Sequence, residues 1–319
     1  MIDMRIVSTM PINPEYIEPI YKKYNSIEWI IKNNMEEARP YLKEADVFLT
    51  LGFDTTAEDL ESVENLKWVH VFSAGVDQMP FDVIQNKKAL FTNTRGIHKI
   101  PMSEYVIGVM LNHVKFSLFF HDMQKEKNWK RKIDGGELYG KTIVVVGTGS
   151  IGQDIAHKAK IFDMHTIGVN TSGRPEEFFD KTYATSELNE ALAQGDFIVI
   201  VVPLTKETKH LISKSQFEAM KEEAYFINIA RGPVVNEKDM IEALDKKIIA
   251  GAALDVFEIE PLPSDSPLWE LDNVYITPHV SGVTARYKQR AFEMFLENLD
   301  VYMTGKGEYI NIVDVNRQY

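Results

Sequence analysis

The chain has no cysteine among its 319 residues, which excludes disulfides, thiol nucleophiles and thiolate metal sites. It has no apolar run as long as the roughly 18 residues that a membrane-crossing helix needs. Its start, MIDMRIVSTM, lacks the hydrophobic stretch of a secretory signal. Neither an HExxH stretch nor a cluster of acids suggests a metal. Positive charge is in deficit: 35 Lys and Arg stand against 47 Asp and Glu, and the net charge of −12 would repel nucleic acid and anionic membranes alike. The one basic run, Lys125 to Lys132, reads as a solvated helix end. No internal repeat or low-complexity stretch stands out. These absences describe a soluble protein with small-molecule partners, and they agree with a cytoplasmic location.

With 45% hydrophobic and 26% charged residues, the chain can bury two cores. Strand-like and helix-like stretches alternate along it, the pattern of an α/β fold. In the first hundred residues, apolar runs at Met4 to Val7, Val47 to Leu51, Trp68 to Phe72 and Ala89 to Thr92 predict a small flavodoxin-like unit over 1–101. A long helical pattern starts at Met102 or Ser103, with Pro101 and Ser103 as start signals, and runs towards Trp129. Six strands then follow, at Thr142 to Val146, His165 to Val169, Phe197 to Val202, Tyr225 to Ile229, Ile249 to Leu254 and Val274 to Thr277. They predict a Rossmann-type doubly wound parallel sheet within 102–284. The helical stretch Ala285 to Met303 and the tail to Tyr319 come after that sheet and can return to the first domain. A chain that crosses twice would leave a cleft between its domains, where small-molecule sites concentrate.

The order strand, glycine turn, helix is the strongest local signal. Residues 142–152 read TIVVVGTGSIG, and the helix-like SIGQDIAHKAKIF follows without a break. In such a G-x-G-x-x-G, Gly147 and Gly149 allow a tight turn and close approach to a pyrophosphate, and Gly152 lets the helix pack on the strand. The N–H groups at the helix start then face the phosphates. The bland alternative is a glycine-rich turn between core elements. About 20 residues on, the fingerprint expects an acid to hold the ribose hydroxyls. Here that place is Asn170, followed by Thr171, Ser172, Gly173 and Arg174. An Asp would repel a 2′-phosphate, whereas Thr171, Ser172 and Arg174 can donate to one, so the stretch favours NADP, with NAD as the alternative.

Ligands of open α/β sheets gather at the carboxyl ends of the strands. Three later strands end in titratable or charged groups: Arg231 after Tyr225 to Ile229, Asp255 and Glu260 after Ile249 to Leu254, and His279 after Val274 to Thr277. Singly, Arg231 could be a surface charge, Glu260 a solvated loop acid and His279 a buried histidine. Jointly, beside a dinucleotide fingerprint, they favour catalysis. The other seven histidines, His98, His113 and His121 among them, lack such placement.

Through VGTGSIG, INIARGPVVNE, ALDVFEIEPLP and ITPHVSG, in that order, the chain resembles the D-isomer-specific 2-hydroxyacid dehydrogenase family, near its glyoxylate/hydroxypyruvate reductase branch. SAGVDQMP (Ser73 to Pro80) resembles the family's substrate-domain loop, NTRGIHKIPMSEYVIG its first hinge and bridging helix, and VVPLTKETKHLI its central cofactor-contacting loop. The resemblance implies a substrate domain over 1–101, a dinucleotide-binding domain over 102–284 and a C-terminal helix, 285–319, returning to the substrate domain. It implies a catalytic set of Arg231, Glu260 and His279. The implied cofactor contacts are Gly147, Thr148, Gly149, Ser150, Ile151, Gly152, Asn170, Thr171, Ser172, Arg174, Val202, Pro203, Ile229, Ala230, Asp255, His279 and Gly282. The implied substrate contacts are Ser73, Ala74 and Gly75 with Arg231 and His279.

Chemistry supports those types. An Arg can span the carboxylate and carbonyl of a 2-oxo acid, and a His can protonate the forming alkoxide while a Glu orients its ring. Small residues at Ser73 to Gly75 leave backbone N–H groups for a substrate carboxylate, unless they form an ordinary turn. The resemblance implies that Asp255 contacts the nicotinamide side of the cofactor; alternatively it caps the following loop. Met102 and the Leu51, Gly52, Phe53 loop could shape the pocket. The expected activity is hydride transfer from NADPH to a small 2-oxo acid, giving a D-2-hydroxy acid. Alternatives are an NAD-dependent phosphoglycerate dehydrogenase-like enzyme and a non-catalytic, dinucleotide-sensing corepressor-like protein. A homodimer is expected by resemblance, with the helix after Met102 as a candidate interface. Its positions Val106, Val109, Met110, Val114 and Phe119 could equally pack inside the domain.

Overall fold

The computed structural model describes residues 4–76, 78–131 and 133–315. Asp77 of the Ser73 to Pro80 stretch, Lys132 of the basic run and the last four residues of the tail lie outside the described residues. The chain divides into two compact units, one of residues 1–97 with 284–319 and the other of residues 98–283. Among the described residues no helix is long and apolar enough to cross a membrane.

In the first unit, apolar runs form β1 (Met4–Ser8), β2 (Ile27–Ile31), β3 (Val47–Thr50), β4 (Trp68–Val71) and β5 (Leu90–Asn93). Their order, β2-β1-β3-β4-β5 with parallel pairing, is the flavodoxin-like one. The expected four strands become five. β2 sits at the edge, where only Ile27 is buried, so its sequence IEWII carries no clear alternation. The helix Tyr287–Thr304 belongs to this unit: Ala291, Phe292, Phe295 and Leu299 pack with Ile6, Leu49 and Trp68. It ends at Gly305, whose φ of +65° stops the helix in a left-handed cap.

The second unit holds β6 (Thr142–Val146), β7 (His165–Asn170), β8 (Lys181–Ala184), β9 (Phe197–Ile200), β10 (Tyr225–Asn228), β11 (Gly251–Leu254) and β12 (Val274–Ile276). The order is β12-β11-β10-β9-β6-β7-β8, all parallel, so every carboxyl end lies on one edge and the order reverses between β6 and β9. This is the Rossmann arrangement with a seventh strand, and the expected six are corrected accordingly. The strand missed is β8, KTYA, an edge strand in which only Tyr183 is buried. Apolar layers cover both faces of the sheet, one around Phe217, Phe226 and Leu244, the other around Val106, Met110 and Ile155.

The helix expected from Met102 begins earlier, at Lys99, and stops at Val114. Pro101 is no barrier because it falls in the first turn, where its missing N–H would have had no helical acceptor. Phe116, at φ +53°, breaks the pattern before a second helix, Ser117–Lys125. Val106, Val109, Met110 and Val114 are buried in the core of this unit, so they are not available as an interface. Exposed apolar side chains lie further on, among them Phe116, Leu118, Phe120, Trp129 and Tyr139.

Candidate active site

Gly147 follows β6 at a φ of +112°, and a β-carbon there would come within 2.8 Å of the Val201 carbonyl oxygen and 3.1 Å of Val202. Gly152 presses on the same turn: its β-carbon would lie 2.0 Å from Gly147 O. Gly149 differs, because nothing lies within 4 Å of the β-carbon it lacks. The turn is therefore closed at Gly147 and Gly152 and open at Gly149 and Ser150, both exposed, with Ile151 half-buried behind them. Gly149 caps the twelve-residue helix Ser150–Ile161, whose first amides have no helical acceptor. This open cradle at a helix start, at the switch point, fits a pyrophosphate.

Asn170 ends β7 and organises the next loop. Its amide nitrogen donates to Thr148 Oγ1 at 3.2 Å and to Arg174 O at 2.9 Å, and its Oδ1 accepts from Ser172 N and Arg174 N. Thr148 is thus tied to the loop, while Thr171, Ser172 and Arg174 are exposed. Arg174 Nε donates to Glu176 Oε1 at 2.7 Å, which engages one arm of the guanidinium.

The other strand ends hold the titratable groups. Ile229 and Ala230 are buried after β10, and Arg231 turns outward with Nη1 donating to Ala230 O at 2.7 Å. Gly232 allows the turn to abut the next loop, since a β-carbon there would come within 1.9 Å of the Phe257 carbonyl group. That loop carries Glu260, whose Oε1 accepts from Phe257 N at 3.1 Å. Glu260 Oε2 lies 2.8 Å from His279 Nδ1. A carboxylate only accepts, so Nδ1 carries a proton and Nε2 is the atom left for a reacting group. His279 and Glu260 are both partly exposed. Pro203 is exposed beside half-buried Val202.

Asp255 is fully buried after β11, and its carboxylate accepts from Thr277 Oγ1 at 2.6 Å, Val280 N at 2.8 Å and Ser281 N at 2.9 Å. These bonds face the loop after β12. That loop ends at Gly282, where a β-carbon would meet His98 Cδ2 at 3.0 Å. Burial, and then the charge of Arg231, hold the His98 imidazole below its ordinary value. His98 thus joins Arg231 and Gly282, a grouping that its place between a hinge and a helix does not disclose in sequence. Among the described residues no group of three or more His, Asp or Glu could hold a metal.

In the first unit, Ser73, Ala74 and Gly75 follow β4. Ser73 Oγ donates to Gly75 O, Asn93 Nδ2 to Ala74 O, and Thr94 N to Ser73 O. The carbonyls are thereby occupied, while among the described residues the amide N–H groups of Ala74 and Gly75 have no acceptor. Such a turn can receive an anion.

Comparisons with known proteins place the chain in a family. A family model described as D-isomer specific 2-hydroxyacid dehydrogenase, NAD binding domain, matches residues 107–281. A glyoxylate reductase of Thermofilum pendens is 35% identical over 278 residues, covering 85% of this chain and 82% of the relative. A D-isomer specific 2-hydroxyacid dehydrogenase family protein of Aeromonas salmonicida has a TM-score of 0.83 at 34% identity, with 98% of each chain covered. The NADPH-dependent glyoxylate/hydroxypyruvate reductase of Sinorhizobium meliloti, solved with NADP and sulfate, has a TM-score of 0.81 at 26% identity, covering 99% of this chain and 100% of that one. With the family matched over more than half its length and these relatives over most of it, the chain belongs to the D-isomer specific 2-hydroxyacid dehydrogenase family.

Proposed function

We propose that the protein is an NADPH-preferring reductase that converts small 2-oxo acids into D-2-hydroxy acids. The observation that carries the chemistry is the His279–Glu260 pair at 2.8 Å, on the strand-end edge that also presents Arg231. The cofactor is a nicotinamide dinucleotide, and when bound it supplies the hydride. Gly147 to Gly152 would hold its pyrophosphate through the open face at Gly149 and the first amides of the helix. Val202, Pro203, Ile229, Ala230 and Gly282 are its further contacts in this reading. Asp255 would act there through the loop it holds.

Arg231 binds the substrate carboxylate and leans on the carbonyl oxygen, where negative charge grows as the carbonyl carbon is reduced. His279 Nε2 hands its proton to that oxygen. Glu260, on Nδ1, keeps the ring turned and stabilises the imidazolium before transfer. In the oxidative direction neutral His279 takes the hydroxyl proton, so alkaline conditions favour oxidation. The preference for NADPH rests on Asn170 in place of an acid and on the exposed donors of Thr171, Ser172 and Arg174. The compartment in this reading is the cytoplasm. A second copy is the expected partner, and the exposed Leu118, Phe120 and Trp129 of the second unit supply apolar surface for it. Light scattering should give the mass of a dimer, and a monomer mass would remove that part of the reading.

Initial rates of NADPH and NADH oxidation against glyoxylate, hydroxypyruvate, pyruvate and larger 2-oxo acids test the function. Faster turnover with NADPH supports it in full, and faster turnover with NADH overturns the cofactor preference alone. Silence with every pair rejects the reductase and favours a dinucleotide-sensing protein, since the fold also serves without catalysis.

A further inference from the structure

Tyr105, on the helix Lys99–Val114, places its hydroxyl 2.7 Å from Thr277 Oγ1, which lies 2.6 Å from Asp255 Oδ1. Thr277 has one hydroxyl proton and an ionised carboxylate can only accept, so that proton goes to Asp255 and the Tyr105 O–H donates to Thr277. Burial pushes the Tyr105 phenol well above its ordinary range, while the Thr277 bond acts the other way; the net effect keeps it a proton-bearing donor. The same Asp255 carboxylate takes the N–H groups of Val280 and Ser281, and Asp255 O takes His279 N–H at 2.9 Å. Thus Thr277, His279, Val280 and Ser281 are all tied to Asp255. His279 itself holds a left-handed backbone, φ +54°, which a residue with a side chain keeps only when its surroundings impose it.

We propose that Tyr105 and Thr277 are positioning residues: the directed chain from Tyr105 through Thr277 to Asp255 sets the loop 277–281, so that His279 meets Glu260 with Nδ1 and presents Nε2 to the substrate oxygen. The Tyr105 end of this chain lies on a helix outside the strand-end loops. Through that chain Tyr105 acts on the proton transfer by way of the 277–281 backbone. The inference rests on His279 as the proton donor.

The test uses the full-length protein with Tyr105→Phe, Thr277→Val and the conservative Thr277→Ser. The first reading is the histidine Nδ1–H resonance of His279 in protein labelled with nitrogen-15, taken without substrate. It should match wild type in Thr277→Ser and be shifted or broadened in Tyr105→Phe and Thr277→Val. The second reading is turnover: kcat should fall about tenfold in Tyr105→Phe and Thr277→Val, with KM for the 2-oxo acid changed by less than about twofold. A wild-type resonance and a wild-type kcat in both disruptive variants would overturn the proposal. Because the resonance needs no turnover, a wild-type protein inactive on every 2-oxo acid would sink the proposed function while the resonance still judges the chain.

Discussion

Two histidines separate the two units more sharply than their sheets do. His70 lies inside β4 of the first unit, fully buried among the rings of Trp68, Phe72 and Phe295. Thr92 Oγ1 accepts from Trp68 Nε1 at 2.8 Å and shares a hydrogen bond with His70 Nδ1 at 2.7 Å, while His70 Nε2 is buried without a partner among the described residues. Burial alone pushes this imidazole down to about 3 from an ordinary 6.5. His279 lies beyond the end of β12 in the second unit, partly exposed, with a carboxylate on one nitrogen. The same side chain is held neutral inside a strand and, just past a strand end, is open to solvent beside a carboxylate. Parallel sheets bury both faces of their strands, so chemistry collects where the strands stop.

The largest effect should come from removing the exposed member of this pair. His279→Ala is expected to lower reduction by about 10²- to 10⁴-fold while NADPH still binds, because proton transfer is lost and the glycine cradle is not. Stopped-flow turnover with a binding titration checks both, and unimpaired turnover would remove the acid role.

Next come the glycines that divide closed from open in the dinucleotide turn. Gly152→Ala forces a carbon against Gly147 O and should cost about 3 kcal/mol or more in stability. Gly149→Ala meets nothing in the protein and has an ordinary φ of −72°, so thermal unfolding should stay near wild type while NADPH binding weakens. Equal destabilisation by both, or undiminished binding by Gly149→Ala, would break the assignment of the open face.

His70 sharpens the comparison from the other side. Its folded-state value lies below the unfolded one, so the stability it contributes is complete above about pH 6.5 and is lost as pH falls towards 3. Wild type should therefore lose about 1.4 kcal/mol more per pH unit than His70→Phe between pH 6 and pH 4. Amide exchange in the strands of the first unit can follow this. Parallel slopes for the two proteins would mean that His70 takes up a proton in the folded state.

The smallest effect is at Arg174. Its guanidinium is exposed and shared with Glu176, which limits its contribution. Arg174→Ala should weaken NADPH about fivefold and leave NADH nearly unchanged in fluorescence titrations. An equal loss for both would refute a 2′-phosphate contact.

What the sequence discloses follows the same division. Strands buried on both faces, such as TIVVV and FIVI, stand out as apolar runs, and with them come the residues that end them: Arg231, Asp255, Glu260 and His279. Edge strands do not, and β2 and β8 were invisible because their half-exposed residues follow no single period. The Gly147 to Gly152 turn is legible because its demands are local. His98 beside Gly282, and Tyr105 on Thr277, are not, because each pair joins positions more than 150 residues apart that only folding brings together. Asp255 shows a partial success: its place at a strand end is readable, but its three donors from 277–281 are a tertiary fact.

The most direct test of the central claim follows the transferred atom. NADPH deuterated at nicotinamide C4 on the transferred face would be incubated with hydroxypyruvate and the product resolved by chiral chromatography and mass spectrometry. The account predicts one D-glycerate for each NADPH consumed, with a single deuterium at C2. An L product, or NADPH loss without the deuterated 2-hydroxy acid that corresponds to this or any other 2-oxo acid supplied, would contradict it.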